Sequence, residues 1–307
     1  MRPEDIQITN DLGAKLNSFQ FIIPMPGISS NASFVCLVRQ MVDSVRRIRY
    51  VSVVNNKPQN QIVCDPTSNA FDPIKAASFY RQNGDINEAA WLVFLFTHFG
   101  KNGKTKWQLV KNVYGALGQQ ALWTWINIRG NVNGFRIWLS QNEEAVKNHA
   151  NFSNHRKYES ISALSNRGTG SAIESYVNWI SASGDHTQLF SNTFAICNNS
   201  TRGTFAKLYR EMDCVNRFGR TARFDYLTML GKLGLAQVEP NSTYMNGATG
   251  PFKGAVLLFG GHQSQATFDN WLDALEVHLG LYFGMQVLED ALCNWQKSPN
   301  NYVYFGG

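Results

Sequence analysis

Apolar residues recur at helical spacing along most of this chain. In ASFVCLVRQMVDSVRRIRYVSVV, Phe34, Leu37, Val38, Met41, Val42, Val45 and Ile48 share one face. Arg39, Arg46, Arg47 and Arg49 occupy the other face, either as a solvated surface or as a stripe turned toward phosphates. Asp72 followed by Pro73 pairs a cap with a first-turn proline and predicts a helix start. The run after Asp85, INEAAWLVFLFTHF, is apolar almost all round and predicts a buried helix that stops at Gly100. His98 inside it reads first as a hydrogen-bonded core histidine and second as a catalytic one. Further helices are predicted over 107–117, 134–139, 169–181, 186–195, 204–216, 221–233, 266–280 and 284–296. The stretch up to about Ser30, with the breakers of FIIPMPGISS, reads as irregular.

Alternating, strand-like runs are few and short, so the predicted class is mainly α. No low-complexity linker or charge block divides the pattern. One continuous domain is therefore expected, with residues 1–84 as an N-terminal helical segment and 85–307 as the helical catalytic region.

Composition sharpens this picture. Of 307 residues, 44% are hydrophobic and 16% charged, which suits a packed core rather than a disordered chain. A net charge of +6 and a pI near 9.0 favour a polyanionic partner. Five dispersed cysteines without a C-x-x-C pair argue against a disulfide framework or a zinc ribbon and for a reducing compartment. The first residues hold no apolar signal core, and no run reaches the length of a membrane span. A cytoplasmic protein without membrane contact is expected.

Several segments carry more polar and special-conformation residues than packing requires. His155, Arg156 and Lys157 stand together in NHRKYES, a suitable phosphate anchor. Arg220, Arg223 and Asp225 cluster at a helix start in FGRTARFDYLTMLGKLGL. Gly247, Gly250, Lys253 and Gly254 lie in a glycine-rich turn before an apolar run. Glu289, Asp290, Asn294 and Gln296 interrupt an otherwise apolar helix, GMQVLEDALCNWQKSP.

Together NEAAWLVFLFTHFGK, NHRKYES, FGRTARFDYLTMLGKLGLA, GATGP and VLEDALCNWQKSP resemble the third clade of the α-glutamyl/putrescinyl-thymine pyrophosphorylase family. The resemblance runs from about Asp85 to the C-terminal end, and none is seen before it. It implies an enzyme acting on DNA, in systems that use hypermodified phage bases. Some relatives transfer amino acids or polyamines onto activated hydroxymethyl-uracil, and others look like DNA glycosylases of phage defence.

A second resemblance is to the helix-hairpin-helix DNA glycosylases. There a glycine-rich hairpin holds a phosphate through its amides, and an aspartate follows at a helix start. The segment GATGPFKGA would be the hairpin, and Asp269 in DNWLDALEVHLGL the aspartate. Cleaving an N-glycosidic bond builds positive charge on the sugar, which a carboxylate stabilises while it orients water. Asp269 is the first candidate for that role, with helix capping as the alternative. Glu289 and Asp290 are rival carboxylates, unless they pair with Arg220 or Arg223. A flipped base would be lined by Tyr158, Trp271, Asn294, Trp295 and Gln296, although aromatics at helical spacing are more often core.

The leading expectation is thus a DNA glycosylase that flips out and excises a modified or hypermodified base, acting in antiphage defence on phage DNA. It needs no metal and no organic cofactor. The first alternative is an amino-acid or polyamine transferase acting on activated hydroxymethyl-pyrimidine, and the second a non-catalytic DNA-binding module.

Overall fold

The computed structural model describes residues 3–261 and 263–305, with the backbone alone at positions 3 and 4. The protein is mainly α: the described residues form fourteen α-helices and no strand beyond one isolated bridge between Asn102 and Lys106. Helices fall into two compact units, one made of residues 1–50 and 240–307, the other of residues 51–239.

The first unit contains α1 (Pro3–Phe19), most of α2 (Asn31–Asn56), α12 (Thr249–Phe259), α13 (Gln265–Leu279) and α14 (Gly284–Trp295). Helix α1 corrects the irregular start expected from the sequence. Leu12, Leu16 and Phe19 repeat at three- and four-residue steps and are fully buried, so the apolar face outweighs the breakers, which act only after Phe19. The core joins them to Leu37, Met41 and Ile48 of α2, Phe268 and Leu275 of α13, and Leu288 and Trp295 of α14. Helix α12 was expected to begin as a glycine-rich turn. A Cβ at Gly250 would stand 2.7 Å from Cys293 Sγ, and one at Gly254 2.5 Å from the Leu292 carbonyl oxygen. These glycines let α12 lie close on α14.

The second unit runs from α3 (Pro73–Gln82) and α4 (Ile86–Phe99) through α5 (Gln108–Tyr114), α6 (Trp125–Gly130), α7 (Val132–Lys147), α8 (Thr169–Ser181), α9 (His186–Ile196) and α10 (Thr201–Glu211) to α11 (Arg220–Lys232). Asp72 caps α3 through the Ile74 and Lys75 amides, and Asp85 caps α4 through the Glu88 amide. All residues of α4 from Glu88 to Phe99 are buried, and α3, α5, α6, α9 and α11 pack around it. Its apolar girth makes it the axis of this unit. Helix α7 extends well beyond the predicted 134–139 because its polar tail, SQNEEAVK, continues a helix whose inner face is Phe135, Leu139 and Val146.

Candidate active site and nucleic-acid interface

Asp269 sits in the second turn of α13. Ser264 caps that helix by accepting from the Thr267 amide, so Asp269 is neither at the helix start nor its cap. The side chain is half-buried, and burial raises its carboxyl above the ordinary aspartate range, against a weak opposing hydrogen bond from Gln265 Nε2 at 3.4 Å. Its Oδ1 is buried without a hydrogen-bond partner among the described residues. A withdrawn carboxyl with an unpaired buried acceptor holds a proton more readily than an exposed one.

The rival carboxylates differ. Asp290 accepts from Ser44 Oγ at 2.6 Å and from Arg47 Nη2 at 3.1 Å, so it is tied to α2. Its partner is thus Arg47, not Arg220 or Arg223. Glu289 is buried on the same helix. Trp295 is fully buried, and its Nε1 donates to the Ser33 and Pro299 carbonyls, which makes it a core residue rather than a base-pocket wall. Gln296 donates to the Cys293 carbonyl and Asn294 accepts from Lys297, both local contacts at the end of α14. Trp271 is part-buried against Phe259 and Phe268, two residues from Asp269.

The predicted phosphate hairpin is corrected in part. Gly250 and Gly254 are helical and face α14, while Gly247 remains in a turn at φ +73° and Lys253 is exposed. Helix α12 has no side-chain cap at Ala248.

The remaining predicted DNA contacts belong to the second unit. His155, Lys157 and Tyr158 are exposed, Tyr158 at 82%. Arg156 is not: it is buried, with Nε donating to the Thr97 carbonyl at 3.0 Å and Nη2 reaching Asp225 at 3.4 Å. It satisfies a carbonyl in the last turn of α4 and anchors its segment. Arg223 pairs with Asp213 at 3.0 Å and lies over the Tyr209 ring, while Arg220 lies over Phe224. Both arginines are part-buried against their own unit.

His98 is a core histidine. It is buried, bonds Thr169 Oγ1 at 3.0 Å, and is pushed down to about 3 by burial and then by the cations Arg156 and Arg217. A second buried array joins Asn87 Oδ1, His186, and the Tyr176 and Tyr226 hydroxyls in series. Sequence reasoning passed over Glu88. Buried on α4, it accepts from the Tyr114 hydroxyl at 2.7 Å and from the Trp125 amide at 2.6 Å. Burial lifts its carboxyl to about 7, against the opposing effect of those bonds. The lone acid after the Asp85 cap, in a run otherwise apolar, was the available signal.

Charge is divided unevenly. The first unit holds 8 Lys and Arg against 9 Asp and Glu, and the second 20 against 13, so the excess of positive charge belongs to residues 51–239.

The family model for alpha-glutamyl/putrescinyl thymine pyrophosphorylase clade 3 matches residues 32–307. The chain belongs to this family. The match begins at residue 32, so α2 and α3, where the sequence showed no resemblance, are family elements too. Membership makes the pyrophosphorylase-clade protein a DNA-modification enzyme concerned with thymine. No curated protein and no solved structure matches the chain.

Proposed function

We propose that this clade 3 protein excises a modified pyrimidine from DNA as an N-glycosylase, with Asp269 as the catalytic carboxylate. The observation that carries the reading is the half-buried Asp269, with a buried Oδ1 that no described residue pairs and a raised proton affinity. Water attacks C1′ of the deoxyribose as the bond to the base nitrogen breaks. Asp269 takes a proton from that water, and the departing base keeps the electrons of the broken bond. The carboxylate also stabilises the positive charge that gathers on the sugar before the new bond forms. Phage DNA, which carries such bases, is the proposed substrate.

A second reading, transfer of an amino acid or polyamine onto an activated hydroxymethyl-pyrimidine, is favoured by the family description, which names glutamyl and putrescinyl thymine. Incubation with DNA from phages bearing different base modifications separates the two. Abasic sites and a free base indicate excision, whereas a mass gain on the base indicates transfer. Neither product, with salt-sensitive DNA retention, would leave a binding module. In Asp269→Asn, folding and DNA binding should persist while base release falls on the order of a hundredfold or more. Undiminished release would remove Asp269 from the mechanism.

A further inference from the structure

Around the C-terminal end of α4, two segments distant in sequence form one cationic face. The turn at 100–107 is closed by reciprocal backbone bonds between Asn102 and Lys106, at 3.0 and 2.9 Å, and Asn102 Oδ1 accepts the Lys104 and Thr105 amides. Segment 151–157 is stitched to it. The Ser153 amide donates to the Phe99 carbonyl, Asn102 Nδ2 to the Phe152 carbonyl, and the Asn151 amide to Thr105 Oγ1. Gly100, at φ +66°, has no room for a side chain because Ser153 occupies that space, so the two strands of chain touch. Arg156 adds the buried bolt to Thr97 described above.

The consequence is a rigid platform from which Lys101, Lys104, Lys106, His155 and Lys157 are all exposed. No ion pair occupies any of these lysines among the described residues. Lys106 Nζ is drawn to the Gly103 carbonyl, and Lys101 Nζ lies 5.3 Å from the centre of the buried Trp107 ring, a contact that leaves its charge without an ion partner. The nearby acids are committed elsewhere: Glu159 to Arg217 at 2.6 Å, Glu144 to Lys147, and Asp225 to Arg156. Lys157 lies 5.0 Å from the centre of the exposed Tyr158 ring, which adds a stacking surface at the edge. Unpaired cations held on a fixed loop beside an exposed aromatic ring match the chemistry of a polyanion with stacked bases, since phosphate contacts anchor and a ring can follow a base face.

We propose that this face, built on Lys101, Lys104 and Lys157, grips the sugar–phosphate backbone of DNA without reading sequence. The assignment rests on the reading of DNA as substrate. It is independent of whether the chemistry is excision or transfer.

The test compares the wild-type protein with Lys101→Gln/Lys104→Gln/Lys157→Gln. A charge-matched control, Lys57→Gln/Arg129→Gln/Arg210→Gln, removes three exposed cations carried on other segments. Binding to a short unmodified duplex is measured over a range of salt concentrations, with thermal melting to confirm folding. The first variant should lose roughly one unit of the slope of log K against log salt per lysine, roughly three in all, while the control keeps the wild-type slope. If the wild-type protein binds and the first variant keeps its slope, this face is refuted and the DNA reading stands. If the wild-type protein does not retain DNA even at low salt, the DNA reading itself falls, and this assignment with it. Weakened binding to an RNA duplex alone would overturn DNA as the occupant.

Discussion

Replacing Glu88 by Gln isolates the contribution of one buried proton to stability. The carboxyl is 4% exposed, and its two oxygens already serve the Tyr114 hydroxyl and the Trp125 amide. Its affinity for a proton is lifted from the ordinary 4.5 to about 7. Because the folded value is the higher one, the folded state holds a proton that the unfolded chain releases. Stability from this group is therefore complete below about 4.5 and falls as pH rises toward 7. The difference of about 2.5 units, at 1.36 kcal/mol each, corresponds to roughly 3 kcal/mol. Gln keeps the shape, offers one acceptor to the Trp125 amide and donates to Tyr114, and does not ionise. Urea unfolding followed by tryptophan fluorescence should show the variant gaining on the wild-type protein by roughly 3 kcal/mol between pH 4 and pH 8. A difference between the two proteins that stays constant across that range would refute the assignment of a buried, proton-binding Glu88.

Gly254→Ala places a methyl group 2.5 Å from the Leu292 carbonyl oxygen and should destabilise the first unit by about 2 kcal/mol, read by denaturant unfolding; an unchanged midpoint would deny the close approach of α12 to α14. Arg156→Met removes the bond to the Thr97 carbonyl and should cost about 2 kcal/mol, while the salt slope of DNA binding stays at its wild-type value. A reduced slope would return Arg156 to the DNA surface. Trp295→Phe keeps the packing but strands the Ser33 and Pro299 carbonyls, and a loss of about 1 kcal/mol in thermal or urea unfolding is expected. No measurable loss would make those two hydrogen bonds dispensable.

Helix positions were legible where one face is apolar and the ends carry their own signals. Asp72–Pro73, Asp85 and Gly100 mark boundaries that the structure reproduces, because capping is local chemistry. Helix α1 was not legible, since the breakers of PMPG drew attention from Leu12, Leu16 and Phe19. The glycines of α12 have the composition of a phosphate loop, and only the position of α14 reveals that they make room for a neighbouring helix. In NHRK three polar side chains look equivalent in sequence. The direction each takes depends on where the last carbonyls of α4 lie, and this turns Arg156 inward and its neighbours outward. Lys101, Lys104 and Lys106 were missed because none belongs to a recognisable string. Their meaning comes from the segment 50 residues away that is fastened beside them.

The first unit is assembled from two pieces of chain separated by the whole of the second. On the ribosome, residues 51–239 can therefore finish folding while α1 and the first part of α2 still wait for α12, α13 and α14. At ordinary elongation rates of about 5–20 residues per second, that wait lasts for seconds after residue 239 has been made. During it Leu12, Leu16, Phe19 and Met41 lack the helices that bury them, an apolar surface open to chaperones and to neighbouring nascent chains. A chain released early would already own the lysine-rich loop but not Asp269. The order of synthesis thus leaves the proposed catalytic carboxylate to the last part of translation, and a truncated product would carry the proposed DNA grip without it.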